Sequence, residues 1–175
     1  MFRPIRCAAL LAVLGLLAGC GGGGELAPVS GTVTLDGQPL PGATVTFAPA
    51  APGENPEAGV SSYGKTDEQG RYSLKTVSDD RIGAVVGKHR VRISLTVGDE
   101  EDDSGAKLVD KVPPWYNGFT LLEKEVRPGE DNTIDFELTG QLSPEMRQQL
   151  LQKYEGKFGE AAERWLALKR SGKLK

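Results

Sequence analysis

His89-Arg-Val-Arg-Ile-Ser-Leu-Thr-Val97 alternates without a break: Val91, Ile93, Leu95 and Val97 fall on one side, and Arg90, Arg92, Ser94 and Thr96 on the other. A period of two over nine residues is the signature of a strand with one face buried and one in water. The same period recurs on either side. Upstream, Val29, Gly31, Val33 and Leu35 share a face opposite Ser30, Thr32 and Thr34. Asp36-Gly37 is a hairpin signal, and residues 44–48 return with Val45 and Phe47 inward. Residues 61–66 lead through Asp67-Glu68-Gln69-Gly70 to residues 71–77, with Tyr72 and Leu74 on one face. Downstream, residues 123–127 and 133–138 close the set, with Ile134, Phe136 and Leu138 inward. About seven short strands with regular turn signals predict an all-β, antiparallel β-sandwich, because each sheet must bury its apolar face against another.

Composition fits one such domain with appendages. The chain has 175 residues, a net charge of −3 and 38% hydrophobic residues. Its 23 glycines and 11 prolines make about a fifth of the chain, turn-rich but below the level of a disordered chain. Thiol and imidazole chemistry is confined to Cys7, Cys20 and His89, which leaves no Cys/His zinc site and no catalytic triad unless His89 serves it. His89 shares the parity of Val91 and Ile93, and spacing identifies no acid or nucleophile beside it.

The first residues carry an address. Arg3 and Arg6 precede an apolar run, residues 7–17, too short to span a bilayer as a helix. This is the layout of a secretory signal peptide over residues 1–19. Leu17-Ala18-Gly19-Cys20 resembles the lipobox of bacterial lipoproteins. That resemblance implies diacylglycerol on the Cys20 sulfur, cleavage before it and an acyl chain (palmitate or similar) on the new amino terminus, with no other cofactor. Cleavage removes two arginines, which takes the charge from −3 to −5, and Cys7 leaves with the peptide, so no disulfide can form. Gly21, rather than aspartate, follows the cysteine, which by the same resemblance favours the outer membrane over the inner. Residues 20–28 read as a flexible linker reaching at most about 30 Å.

The strand segments also resemble a known family. Val29-Ser-Gly-Thr-Val-Thr-Leu-Asp-Gly-Gln-Pro-Leu-Pro-Gly-Ala-Thr-Val-Thr-Phe47 and Gly64-Lys-Thr-Asp-Glu-Gln-Gly-Arg-Tyr72 are similar to the carboxypeptidase regulatory-like domain. Gly83-Ala-Val-Val-Gly-Lys-His-Arg-Val-Arg-Ile93 and Asn132-Thr-Ile-Asp-Phe-Glu-Leu138 look like its remainder. The resemblance implies a transthyretin-like β-sandwich over residues 29–140, an accessory domain with no catalytic metallopeptidase part. Its motifs are turn and core positions, informative about fold rather than activity.

Two loops carry candidate chemistry. Asp99, Glu101 and Asp103 alternate, and Asp110 is the twelfth residue counted from Asp99. Oxygen ligands so spaced suit calcium, but Ser104 stands where an EF-hand turn needs glycine, and a solvated acidic loop is the main reading. Pro113-Pro-Trp-Tyr-Asn-Gly-Phe119 concentrates aromatics. Its rings either plug one end of the sandwich or, with Trp115, Tyr116 and Phe119 exposed together, bind envelope carbohydrate.

Residues 143–171 predict one amphipathic helix. Ser143-Pro144-Glu145 is a start signal, Gly172 a stop, and Gly156 and Gly159 mark a place for a kink. Met146, Leu150, Tyr154, Phe158, Ala161, Trp165 and Leu168 form one stripe, which needs covering by its own sandwich, a second copy, an envelope protein or the membrane surface. Phe158 and Trp165 are its candidate contact residues. The expectation is a non-enzymatic, lipid-anchored module of the cell envelope that binds or assembles with an envelope protein or itself. Carbohydrate binding is the alternative, a hydrolase using His89 or the acidic loop the third reading. Secretion and negative charge speak against nucleic acid.

Overall fold

The computed structural model describes residues 24–50, 60–97, 109–129 and 131–174. In chain order the elements are β1 (Leu26–Ala27), β2 (Val29–Leu35), β3 (Gln38–Pro39), β4 (Thr44–Pro49), β5 (Ser62–Lys65), β6 (Arg71–Ser73), β7 (Lys75–Thr76), β8 (Ala84–Val85), β9 (Gly87–Ser94), β10 (Thr96–Val97) and β11 (Val109–Asp110). A single 3₁₀ turn, Pro114–Tyr116, precedes β12 (Glu123–Val126), β13 (Asn132–Thr133) and β14 (Phe136–Leu138). Two helices end the chain, α1 (Pro144–Tyr154) and α2 (Lys157–Arg170).

The strands form a mostly antiparallel, sandwich-like pair of sheets. One runs β12-β9-β4-β5-β7, antiparallel throughout. The other is built on β2, with β6 and β3 antiparallel to it and β13 and β14 parallel. Their inner faces meet in one core. Val45, Phe47, Val91 and Ile93 of the first sheet lie against Val33, Tyr72, Phe136 and Leu138 of the second. Phe47 and Phe136 meet edge to face at 6.3 Å.

The return from Asp36-Gly37 is the short β3, while residues 44–49 pair with β5 and β9 in the other sheet, and three further sequence expectations need correction. The sandwich is not wholly antiparallel. β12 runs towards the end where β2 begins, and the chain crosses there to the second sheet, so β13 and β14 start alongside β2 and share its direction. Gly31 permits the crossing strand to lie close, since a Cβ there would fall 2.0 Å from the Ile134 carbonyl oxygen. Second, the folded part begins before Val29. β1 pairs with β8 and Ala27 is buried, so the last residues of the expected linker 20–28 belong to the fold. Third, residues 143–171 are two helices. Glu155 (φ 42°) and Gly156 (φ 85°) take left-handed backbone between them, and a helix cannot continue through that geometry.

Candidate functional site

The helices dock at the end of the sandwich where β2 and β14 finish. Asp36, just after β2, gathers three segments there. Its carboxylate accepts from Gly140 N at 2.8 Å, Thr139 Oγ1 at 3.3 Å and Lys169 Nζ of α2 at 3.1 Å. The Gly140 amide, then the Lys169 ammonium, holds the Asp36 carboxyl below the usual carboxylate range. The sequence read Asp36 only as a turn residue.

The loop leading to the 3₁₀ turn is fixed by Asp110. Its carboxylate accepts from Leu95 N at 2.9 Å, Val112 N at 2.9 Å and Asn117 Nδ2 at 2.6 Å. Both oxygens thus serve N–H donors of the fold, which gives Asp110 a structural role in this loop. Asp99, Glu101 and Asp103 lie outside the described residues, as does Cys20.

Pro113 and Pro114 then set the turn that drives Trp115 inward. Trp115 is 1% exposed and meets Trp165 at 5.3 Å, edge to face, with Phe158 at 6.5 Å. Tyr116 is also buried, its hydroxyl accepting from Thr139 N. Phe119 is half-buried between Tyr154 and Phe158, with centroids at 5.2 and 5.8 Å. Tyr154 donates to the Thr120 carbonyl at 2.9 Å. Trp115, Tyr116 and Phe119 therefore do not form an exposed sugar platform. They plug the end of the sandwich, because rings of this size bury more apolar area against the helices than against water. Phe158 and Trp165 are buried on their own sandwich; Phe158 is closed off from another molecule, while an edge of Trp165 lines two grooves at the surface.

What faces solvent here is a pair of grooves on either side of Trp165, each of about 360 Å³. Leu35, Pro39, Leu40, Leu95, Lys111 and Lys169 line one. Val112, Pro114, Phe119, Arg164 and Leu168 line the other. Lys169 Nζ lies 5.3 Å from the centroid of the Trp165 ring. Among the described residues, neither Lys111 nor Arg164 has an acidic partner within salt-bridge distance. The grooves thus have apolar floors; Asp36 lies in the first, paired with Lys169, and Asp110 in the second, which leaves Lys111 and Arg164 as the cations without an acidic partner there.

His89 lies in the core instead. It is 1% exposed, its ring centroid 5.6 Å from that of Phe47, and its Nδ1 lies 3.0 Å from the Gly87 carbonyl oxygen. Nε2 has no hydrogen-bond partner among the described residues. Burial pushes its pKa down, the Gly87 carbonyl opposing. A general base needs a proton to take, and although the Gly87 carbonyl orients the ring, Nε2 meets no donor among the described residues. No group of three or more His, Cys, Asp or Glu placed to hold a metal occurs among the described residues, and no described helix is long and apolar enough to cross a membrane.

No protein-family model matches the chain, and no curated protein matches it in sequence. Among solved structures it is similar to a 9R-lipoxygenase from Cyanothece PCC8801, at 16% identity over 65% of this chain with a TM-score of 0.34. The match spans 16% of the lipoxygenase chain, and a likeness at that level says nothing about activity.

Proposed function

We propose that the protein is a lipid-anchored lipoprotein of the bacterial cell envelope, in the outer membrane, whose carboxypeptidase regulatory-like, transthyretin-like sandwich serves as a non-catalytic binding or assembly module. The lipobox at Leu17-Ala-Gly-Cys20 supports the anchor. The single observation that carries the binding role is the pair of grooves flanking Trp165, apolar below, with one cation lacking an acidic partner beside each, Lys111 and Arg164. Their chemistry suits a protein segment presenting an apolar side chain flanked by carboxylates. The mechanism is confinement: the lipid holds the module in a thin layer, where a modest affinity suffices.

The test uses the lipidated full-length chain in cells. Photo-reactive residues at Lys111 and at Arg164 are expected to capture one and the same envelope protein. The pair of substitutions Lys111→Glu and Arg164→Glu, with the probe moved to Leu168, is expected to abolish capture while leaving the melting temperature within a few degrees. Capture that ignores the charge reversal, or none from either position, would overturn the proposal.

A further inference from the structure

The outer face of the first sheet carries a charge of its own. Alternation assigns its residues. Val45 and Phe47 of β4 and His89, Val91 and Ile93 of β9 are buried in the core, so the residues between them point away from it. Register then sets the outward residues in rows. Lys75 of β7 lies beside Tyr63, Tyr63 beside Thr46 and Thr46 beside Arg92. In the row above, Lys65 lies beside Thr44 and Thr44 beside Ser94. In the rows below, Ala48 lies beside Arg90 and Arg90 beside Glu123, and then Lys88 beside Glu125.

Five cations thus share the face with two carboxylates, both of which stand on the edge strand β12. Lys75 is paired with Asp80 at 2.7 Å. Lys65, Lys88, Arg90 and Arg92 are exposed, and among the described residues none of the four has an acidic partner within salt-bridge distance. The outer face of the second sheet is the reverse. Asp135 and Glu137 lie there alongside β2, and Arg71 there is paired with Asp67 at 2.9 Å. One broad face is therefore positive in a chain whose net charge is −3. None of its cations lines either groove.

We infer that this face is a docking surface for an anionic bilayer, on which the anchored domain lies with its first sheet down. The inference rests on the anchor reading and deepens it. The cations are spread over strands about 4.8 Å apart and along the roughly 20 Å from Lys88 to Ser94. An extended acidic segment would meet one line of them, whereas a plane of phosphate headgroups meets them all. The tether permits the contact. Five residues separate Cys20 from Glu25, a reach of at most about 18 Å, and the Glu25 carbonyl accepts from Val86 N, two residues before Lys88. The lipid already supplies the affinity, so the cations have only to select one orientation. Each Lys or Arg close to an anionic surface shifts such a population by about fivefold, while Asp135 and Glu137 are repelled from it.

On the anchor reading Cys20 is acylated and Cys7 leaves with the signal peptide, so an introduced cysteine is the one free thiol of the mature chain. A fluorophore is attached at Thr46→Cys in the middle of the face, or at Ser73→Cys on the outer face of the second sheet. The lipidated protein is placed in phosphatidylethanolamine–phosphatidylglycerol vesicles carrying nitroxide headgroups. Quenching is expected to be several-fold stronger at position 46 than at 73, and to even out in phosphatidylcholine vesicles or in strong salt. Arg90→Gln with Arg92→Gln is expected to reduce the oriented population about 25-fold without moving the melting temperature by more than a few degrees. Equal quenching at the two positions with lipid on Cys20 by mass spectrometry, the result for a face built for a soluble acidic partner, would overturn the inference and leave the anchor standing. A bias towards position 46 that survives strong salt and the loss of both arginines would do the same. A chain without lipid on Cys20 would overturn both.

Discussion

His89 shows what a single buried side chain does to the pH response of this fold. Its ring sits between the sheets against Phe47, with Nε2 lacking a partner among the described residues, so protonation in place would bury a charge. Desolvation lowers its pKa below the ordinary 6.5, whereas in the unfolded chain that value is restored. Between the two values the unfolded state binds more protons. Stability is therefore complete above about 6.5 and falls as the pH drops towards the folded-state pKa. Denaturant unfolding between about pH 7.5 and 5 is expected to show this loss in the wild type and to lack most of it in His89→Leu, which also removes the orphaned nitrogen. Equal acid slopes in the two proteins would contradict it. The inward placement of His89 was legible from its parity with Val91 and Ile93. The role of Asp36 was not, because its partners Gly140 and Lys169 lie 104 and 133 residues away and no local pattern records such a meeting.

At the scale of elements, alternation located every long strand, since a period of two reports which face a residue takes. It does not report which strand lies alongside, and so the parallel pairing of β13 and β14 with β2 was invisible. The helical region divides in the same way. Ser143 caps α1 as its sequence position suggests, its Oγ accepting from Met146 N at 3.1 Å. Gly156 signalled a kink, but the signal did not distinguish a bend from a full stop. The stop arises because two consecutive residues are left-handed, one of them a glutamate. A side chain with a Cβ pays about 1–2 kcal/mol for that conformation. Glu155→Gly is therefore expected to stabilise the protein by up to about 1 kcal/mol, and Gly156→Ala to destabilise it by about 1–2 kcal/mol. Urea titrations of the two variants measure both. A neutral Gly156→Ala would mean that the helix junction relaxes to a straight helix when offered one.

For the molecule as a whole, the helical end is part of the core. Leu150, Phe158, Ala162 and Trp165 are buried together with Val112, Trp115 and Tyr116 of the sandwich. Ending the chain at Gly140 would strip all four helical residues away and leave Trp115 facing water. Truncating even one buried tryptophan costs about 3–5 kcal/mol, against a total of about 5–15 kcal/mol for a domain of this kind. The truncated chain is expected to lose cooperative unfolding, or to melt far below the full chain, and to bind a hydrophobic dye. By contrast Lys169→Ala, which removes the exposed ion pair with Asp36 and the ammonium over the Trp165 ring, is expected to cost no more than about 1–2 kcal/mol. Thermal melts of the two side by side decide the matter. A truncated chain melting with the wild type would show that the helices are carried by the sandwich rather than completing it, and Phe158 and Trp165 would then be free to leave it for a partner.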